Sequence, residues 1–520
     1  MEMNGSQSQR AVNRGMARLG SSSIPPRLAG RGARDRWRSA MLFRFVCYLF
    51  LALATSCATK TPPTRAEIQA KSGTVGRLGS TNGWKAAAAS GPIADNWLVT
   101  FEDDQLNALV AEAMTNNLDL HVTAAKVEQA AQYLQIAKAA LRPAVNLFGT
   151  GGLSMGGGDM NSALQGISLG VSWEPDLWGR LRYGRNAAAA TYASLQADFE
   201  FGRQSLAATI AKSWFTIGET WLQLQIAEDM IKASQALVTL AEKRRAVGSG
   251  NEEDVAMARA NLGTFEDSAK QVLLAHEQAL RALELLLGRY PAAELQARHN
   301  LPPLPGPIPA GLPLAMLERR PDMLAAERRV AAAFHRIGEA KAARLPRIIL
   351  SANVAAIRSD VLQLKSDLKN PTGGAGAKLI APIYQGGSLN AQVKLRTLEQ
   401  KEAVAQYAGM ALRALGDVES ALAAGKTLTE RETLLQRTVA DNQRALELTQ
   451  TSYRVGRTDL RSVQQQQLSL HAVRITLLRV QSERLTQRAN LHLALGGSFE
   501  MPHEPEAESA KQSPSKPKEP

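Results

Sequence analysis

Little in this chain of 520 residues announces chemistry. Its two cysteines, Cys47 and Cys57, both lie near the N-terminus, so no disulfide framework braces the body. Seven histidines are scattered, and none stands in a metal-ligand spacing such as H-E-x-x-H. His121 and His335 read as surface residues on helices. The loop Gly156-Gly157-Gly158 lacks the Lys-Ser/Thr of a phosphate cradle. These absences argue against an enzyme and call for neither cofactor nor metal. Aromatics are only 5% while alanine is abundant, which favours long, closely spaced helices over one large globular core. The formal net charge is +13, but residues 1–40 hold eight arginines against Glu2 and Asp35. No base-reading motif or aromatic-interleaved basic stripe accompanies that charge, so nucleic acid is not an expected partner.

What the chain does have is a long internal repeat. Asp119, Val127, Ala130, Ala137-Lys138-Ala139-Ala140 and Pro143 are answered by Asp322, Val330, Ala333, Ala340-Lys341-Ala342-Ala343 and Pro346, at an offset of 203 residues (346 − 143). Later pairs, Gly179 with Gly387 and Gly248 with Gly456, stand 208 apart (387 − 179). The five extra residues (208 − 203) therefore fall between Pro346 and Gly387. A repeat this long is two copies of one large unit, not a short solenoid motif. Insertions are tolerated in surface loops and resisted in packed rods, so the helical arms of the two copies are expected in register.

From Met41 the chain reads MLFRFVCYLFLALATSC, a basic residue before an apolar run too short for a membrane helix. That is a signal-peptide pattern, and Ala54-Thr55-Ser56-Cys57 resembles a bacterial lipoprotein cleavage box. Cys57 is then the expected lipidated N-terminus; the alternative is an ordinary signal peptide ending near a cysteine. Residues 1–40 read as a disordered extension or a mis-assigned start, 41–57 as the lipoprotein signal, 58–95 as linker and 498–520 as a disordered tail. Between them lie repeat 1 at 96–300, with strands at about 144–178, and repeat 2 at 301–497, with strands at about 347–385.

Within each repeat the apolar period changes. Asp119 to Leu141 is helical and ends at Pro143, after which the period shortens to two. Ile167, Leu169, Val171 and Trp173 alternate with Gly166, Ser168, Gly170 and Ser172; Ile348, Leu350, Ala352 and Val354 do the same in repeat 2. Strands of about ten residues with one apolar face have the length and pattern of a membrane wall. Beyond them no proline interrupts Leu181 to Val247, a helix of roughly 100 Å at about 1.5 Å per residue. Val247-Gly248-Ser249 and Val455-Gly456-Arg457 end these rods, and Asn251 with Glu252, Glu253 and Asp254 is suited to cap the returning helix.

Four strands cannot close a barrel, and open edges in lipid leave backbone groups unpaired at several kcal/mol each. Identical copies must supply the rest, and three of them give twelve strands. The expected fold is thus mostly α with a small membrane β part: two tandem repeats of strand pair and long helical hairpin, assembled as a trimeric 12-stranded β-barrel on an α-helical barrel. The competing reading is an envelope-anchored coiled-coil adaptor or scaffold without a pore. It accounts for the hairpins but not for alternating strands at matching places in both copies.

Trp173-Glu174-Pro175-Asp176-Leu177-Trp178-Gly179-Arg180-Leu181 resembles the strand-to-helix signature of TolC-like outer-membrane efflux channels, as does Ala381-Pro382-Ile383-Tyr384-Gln385-Gly386-Gly387. Arg319-Arg320-Pro321-Asp322 and Leu493-Ala494-Leu495-Gly496-Gly497 match the same family, and the resemblance covers about residues 95–497. It implies a homotrimer in outer-membrane lipid, a periplasmic helical tunnel, and partners in a periplasmic adaptor and an inner-membrane pump. Trp173, Asp176, Gly179, Pro382, Gly386 and Gly387 would form the strand–helix junctions. Val247, Gly248, Ser249, Val455, Gly456 and Arg457 would form adaptor-docking tips. Family gate positions carried over fall on Ser462 and Gln465, with Asp254 and Met257 as first-repeat equivalents (462 − 208 and 465 − 208). Two departures stand out. Pro175 removes a ladder donor, so its strand should end or bend there. Gln465 replaces an aspartate, which would leave a constriction without fixed negative charge. The aromatics Phe148, Trp173, Trp178 and Tyr384 suit an interface belt, although Trp178 and Tyr384 could equally pack the junctions.

Overall fold

The computed structural model describes residues 59–73, 84–86, 91, 95–150, 165–296, 300–310, 313–359, 364–365 and 372–500. Cys57, the 41–57 segment and the 156–158 glycine loop lie outside them. Everything below concerns the unit Thr59–Pro520.

In chain order the elements are α1 (Arg65–Ser72), a 3-10 turn (Trp97–Phe101), α2 (Asp104–Asn116), α3 (Leu118–Ala139), β1 (Ala144–Thr150), β2 (Gln165–Trp173), α4 (Arg180–Ala246) and α5 (Glu252–Leu286). Repeat 2 follows with α6 (Pro313–Arg319), α7 (Pro321–Ala342), β3 (Arg347–Ser359), β4 (Leu364–Lys365), β5 (Thr372–Ile380), α8 (Ser388–Arg454) and α9 (Leu460–Leu495). Helices α3 and α7 both have 22 residues, and α4 and α8 both have 67, so the arms do run in register. The added length of repeat 2 sits in the strand region, where β3 extends to 13 residues and pairs with the two-residue β4.

Local rules set the boundaries. Asp103 caps α2 by accepting from the backbone N–H of Gln105 and Leu106, and its other oxygen accepts from Trp214 Nε1 at 2.8 Å. Asn117 caps α3 through Leu120 N–H at 2.9 Å and ties it to α5 by donating to Leu286 O. Asn251 caps α5 as expected, accepting from Asp254 N–H at 2.7 Å. Rod ends close with left-handed glycines: Gly248 at φ +78°, Gly288 at +73°, Gly456 at +75° and Gly496 at +71°.

Strands β1, β2, β3 and β5 form an antiparallel meander, so the β2–β3 pairing fuses the two repeats into one sheet. Register puts Val145, Leu147, Ile167, Leu169, Val354 and Leu379 on one face, all close to half exposed or more. Asn146, Ser168, Ser172, Ser351 and Asn353 share the other face. Phe148 belongs to that polar face. Its ring covers Gly170, where an added Cβ would meet it at 3.1 Å. Phe148 is therefore removed from the expected belt: it shields a glycine whose backbone would otherwise be bare. Strand β2 stops at Trp173, two residues before Pro175.

Three cores hold the rods. One gathers Trp97, Phe101, Leu106, Trp214, Phe215 and Leu283 around the middle of α4; a second gathers Ile68, Met316, Val330, Tyr407 and Leu491 beside α8. The third joins both hairpins near their tips through Leu237, Val255, Leu446, Tyr453, Leu460 and Val463. The second core corrects the reading of 58–95 as mere linker. Ile68 on α1 is fully buried in it, Arg65 pairs with Glu327 at 2.7 Å, and Trp84 Nε1 donates to Ala310 O at 3.1 Å. Likewise the tail begins packed: Phe499 is buried and Glu500 pairs with Arg203 at 2.5 Å. His335 is also buried, 6% exposed against Tyr183 and Phe334, not a surface residue. Burial lowers its pKa. His121 is exposed.

Candidate functional site

The first strand–helix junction is a charged knot at the N-terminus of α4. Asp176 accepts from the backbone N–H of Leu181 (3.1 Å) and Arg182 (2.9 Å) and from Arg182 Nε (3.1 Å). A carboxylate at a helix start satisfies orphan N–H groups and meets the positive dipole end. Glu174 holds Arg180 by contacts of 2.9 and 3.0 Å, and Gly179 makes the turn at φ +77°. Trp173, on the apolar face, donates to Leu141 O, while Trp178 donates to Pro346 O at 2.6 Å. Trp178 thus packs the junction. The second junction is looser. Gly386 and Gly387 turn at φ +57° and +82°, and Tyr384 occupies the place of Asp176 (176 + 208) with 87% exposure. No carboxylate caps α8. Pro382 lines a cavity of about 230 Å³ shared with Glu174, Trp178 and Arg347, which brings the two junctions side by side.

Both tips have one geometry. Gly248 N–H donates to Arg245 O and Ser249 N–H to Arg244 O; Gly456 N–H donates to Tyr453 O and Arg457 N–H to Ser452 O. These paired bonds close the last carbonyls of each rod. Val247 and Val455 stand 78% and 64% exposed at the apices, and an added Cβ at Gly248 or Gly456 meets nothing within 4 Å. A further contact, not foreseen from the sequence, joins the tips. The guanidinium of Arg244 lies 4.6 Å from the Tyr453 ring centre and donates to Tyr453 O and Ser249 O. The only hint was the Lys243-Arg244-Arg245 run, which reads as a dipole-complementing last turn.

The carried-over gate positions fall just inside these tips. Ser462 is occupied by capping, donating through N–H and Oγ to Asp459 Oδ1 at 2.9 and 2.6 Å. Those bonds lower the Asp459 pKa. Gln465 is exposed and unencumbered, whereas Gln464 and Gln467 turn into the hairpin core. Asn261 Nδ2 reaches Gln467 Oε1 at 3.4 Å. In repeat 1 Asp254 is half exposed, and Met257 packs against the tip core. Gln465 itself carries no charge; Arg461, one turn earlier, is exposed and reaches Glu253 at 4.0 Å, and the acidic group at Asp254 stands on the same neighbouring hairpin. Among the described residues no group of three or more His, Cys, Asp or Glu could hold a metal ion, and no helix is long and apolar enough to cross a membrane.

The profile of the outer membrane efflux protein family matches residues 109–289 and 312–497, one segment per repeat. The cation efflux system protein CusC of Escherichia coli O6:H1 is 32% identical over 414 residues, 78% of this chain and 88% of that protein. The pyoverdine export outer membrane protein OpmQ of Pseudomonas putida is 29% identical over 475 residues, 88% of this chain and 98% of its own length. A crystal structure of CusC superposes with a TM-score of 0.70 at 27% identity, covering 80% of this chain and all of that one.

Proposed function

Because the chain belongs to the outer membrane efflux protein family, we propose that it works as the passive outer-membrane conduit of a tripartite export system. Three copies form the working channel. The observation that carries this reading is the sheet: four long strands and the two-residue β4, one face apolar, with no further strand on the outer edge of β1 or β5 among the described residues, standing on two rods of 67 residues. A hydrocarbon layer needs the apolar face covered by lipid and both edges paired. Neither demand is met by one protomer, and both are met by a ring of three. A scaffold without a pore has no use for such a sheet.

In this reading the rods continue the barrel as a periplasmic tunnel. The tips at Val247, Gly248, Ser249, Val455, Gly456 and Arg457 meet a periplasmic adaptor that belongs to an inner-membrane pump. Their exposed valines and open space around both glycines support that role. Gln465 lines the constriction, and Cys57 carries the lipid that tethers the chain to the outer membrane. The named cargoes of the relatives, cations and pyoverdine, differ widely, so the conduit selects little and the pump chooses. The test is direct. Purified from membranes, the protein should weigh three chains and give discrete conductance steps in planar bilayers. A single-chain mass without conductance refutes the proposal.

A further inference from the structure

The polar face of the sheet carries charge of one sign only. Register sets Arg347, the first residue of β3, opposite Ile380, and sets Lys378 on β5 opposite Ile349. Both belong to the face of Ser351 and Asn353. They are diagonal neighbours across one ladder, about 7 Å apart in an antiparallel pair. Both side chains are exposed, and no carboxylate shares their face among the described residues. Arg347 also lines the junction cavity beside Glu174 and Asp176, but those two carboxylates are taken. Arg180 holds both oxygens of Glu174, and Asp176 accepts from Arg182 and two backbone N–H groups. Neither Arg347 nor Lys378 joins an ion pair among the described residues.

Nothing in the fold asks for these cations. The repeat offsets put Ala144 and Gly170 at their places in repeat 1 (347 − 203; 378 − 208). Those two occupy the matching diagonal of the β1–β2 ladder, where Ala144 faces Ser172 and Asn146 faces Gly170. An alanine and a glycine therefore build the same rung, and the strands do not need the charges to pair. Around the cations the face is kept low. An added Cβ would meet only Asn353 Oδ1 at 3.4 Å from Gly374, and only Ser351 Oγ at 3.7 Å from Gly376. Two long cationic side chains thus stand over small polar neighbours, with open space beside them.

We propose that Arg347 and Lys378 form a lumenal binding site for polyvalent anions, solutes that carry phosphate or several carboxylates, at the end of the sheet nearest the rods. This rests on the conduit argued above, in which the polar face lines the lumen. Two cations from each of three copies stand at one level of a low-dielectric wall, which focuses their field on the passage. The arginine offers a planar fork and the lysine a point charge, and both suit phosphate. Small anions pass that level more readily than small cations, and an anion with several charges bridges neighbouring cations and dwells. The site sorts by charge alone, so the choice of cargo stays with the pump.

The test uses the full chain, purified from membranes and placed in planar bilayers of neutral lipid. Sodium triphosphate, added to each chamber in turn, should reduce the current at about 0.1 M salt and do so far less at about 1 M, where screening shortens from about 10 Å to about 3 Å. Arg347→Gln combined with Lys378→Gln should raise the half-blocking concentration about tenfold or more, as expected when a charge-assisted hydrogen bond is lost. The same variant should shift the reversal potential in a potassium chloride gradient toward cations, whereas Lys378→Arg should keep the block. The single glutamine variants should shift it part of the way, and they carry the test if the double variant does not assemble. Equal block in parent and variants overturns the site. So does a variant with unchanged currents that binds anionic vesicles less well than the parent, because its cations would then serve lipid headgroup phosphate. A parent of single-chain mass without conductance overturns the conduit itself, so the two failures are distinguishable.

Discussion

Acid should weaken this protein through one histidine. His492 sits near the end of α9, 3% exposed, its ring stacked on Trp97 at 5.4 Å between centres and 14° between planes. Burial, and secondarily the charge of Arg488 one turn earlier, push its pKa from 6.5 down to about 3. The fold therefore holds the ring neutral, whereas the unfolded chain protonates it near 6.5. Stability from this group is complete above pH 6.5 and drains away as pH falls toward 3. Between pH 7.5 and 5 the loss comes to about 2 kcal/mol per chain, from roughly 1.4 kcal/mol for each unit of differential protonation. His492→Gln removes the titrating ring but keeps a polar side chain of similar reach. It should be less stable than the parent at pH 7.5, because the Trp97 stack is lost. Its melting temperature, followed by circular dichroism in detergent, should fall less between pH 7.5 and 5 than that of the parent. Equal acid slopes for the two proteins would refute the reasoning.

Other outcomes follow from single positions. Gly288→Ala should cost about 2 kcal/mol or more, because its φ of +73° disfavours a side chain and its Cβ would sit 2.6 Å from Asn116 O; thermal melting of the variant checks it. Gly248→Asp and Gly456→Asp meet no neighbour within 4 Å and should cost only about 1 kcal/mol each in backbone strain. They should abolish export in a cell-based efflux assay while the oligomer survives on native gels; loss of the oligomer would reduce these glycines to turn formers. If Gln465 lines the constriction as proposed, Gln465→Asp would place a negative ring there. Block by multivalent cations in planar bilayers should be weak in the parent and strong in this variant.

Much of the architecture was legible because it rests on period and spacing. The 208-residue offset between Gly179 and Gly387 needed no knowledge of contacts, and it fixes two rods of equal length. Pro175 marked the end of β2 because a missing N–H cannot be hidden from a ladder. What escaped was tertiary. Helix α1 has eight residues and one wholly buried side chain, Ile68, too few to show a face in the sequence. Phe148 follows the apolar Leu147 directly and shares the parity of Asn146, so its place on the polar side is written in the alternation, but what its ring covers there, Gly170 on the next strand, is not. The glutamine run from Gln464 to Gln467 looked uniform, but helical geometry turns two members inward and leaves Gln465 outside. The Arg244–Tyr453 contact joins residues on different hairpins, 209 positions apart, and no local pattern encodes it.

The matched rods also bear on how such a gene can change. Deleting one residue from α4 but not α8 draws the first apex back by about 1.5 Å and swings everything beyond the deletion by about 100°. The tip core of Leu237, Val255, Leu446 and Tyr453 would then face the wrong way on one hairpin only. Lengthening by one residue is equally ruinous, so viable drift in the arms must come by substitution, or by paired edits that keep both halves in phase. The loop side of the sheet is free of that discipline, and there the two halves have already diverged in length.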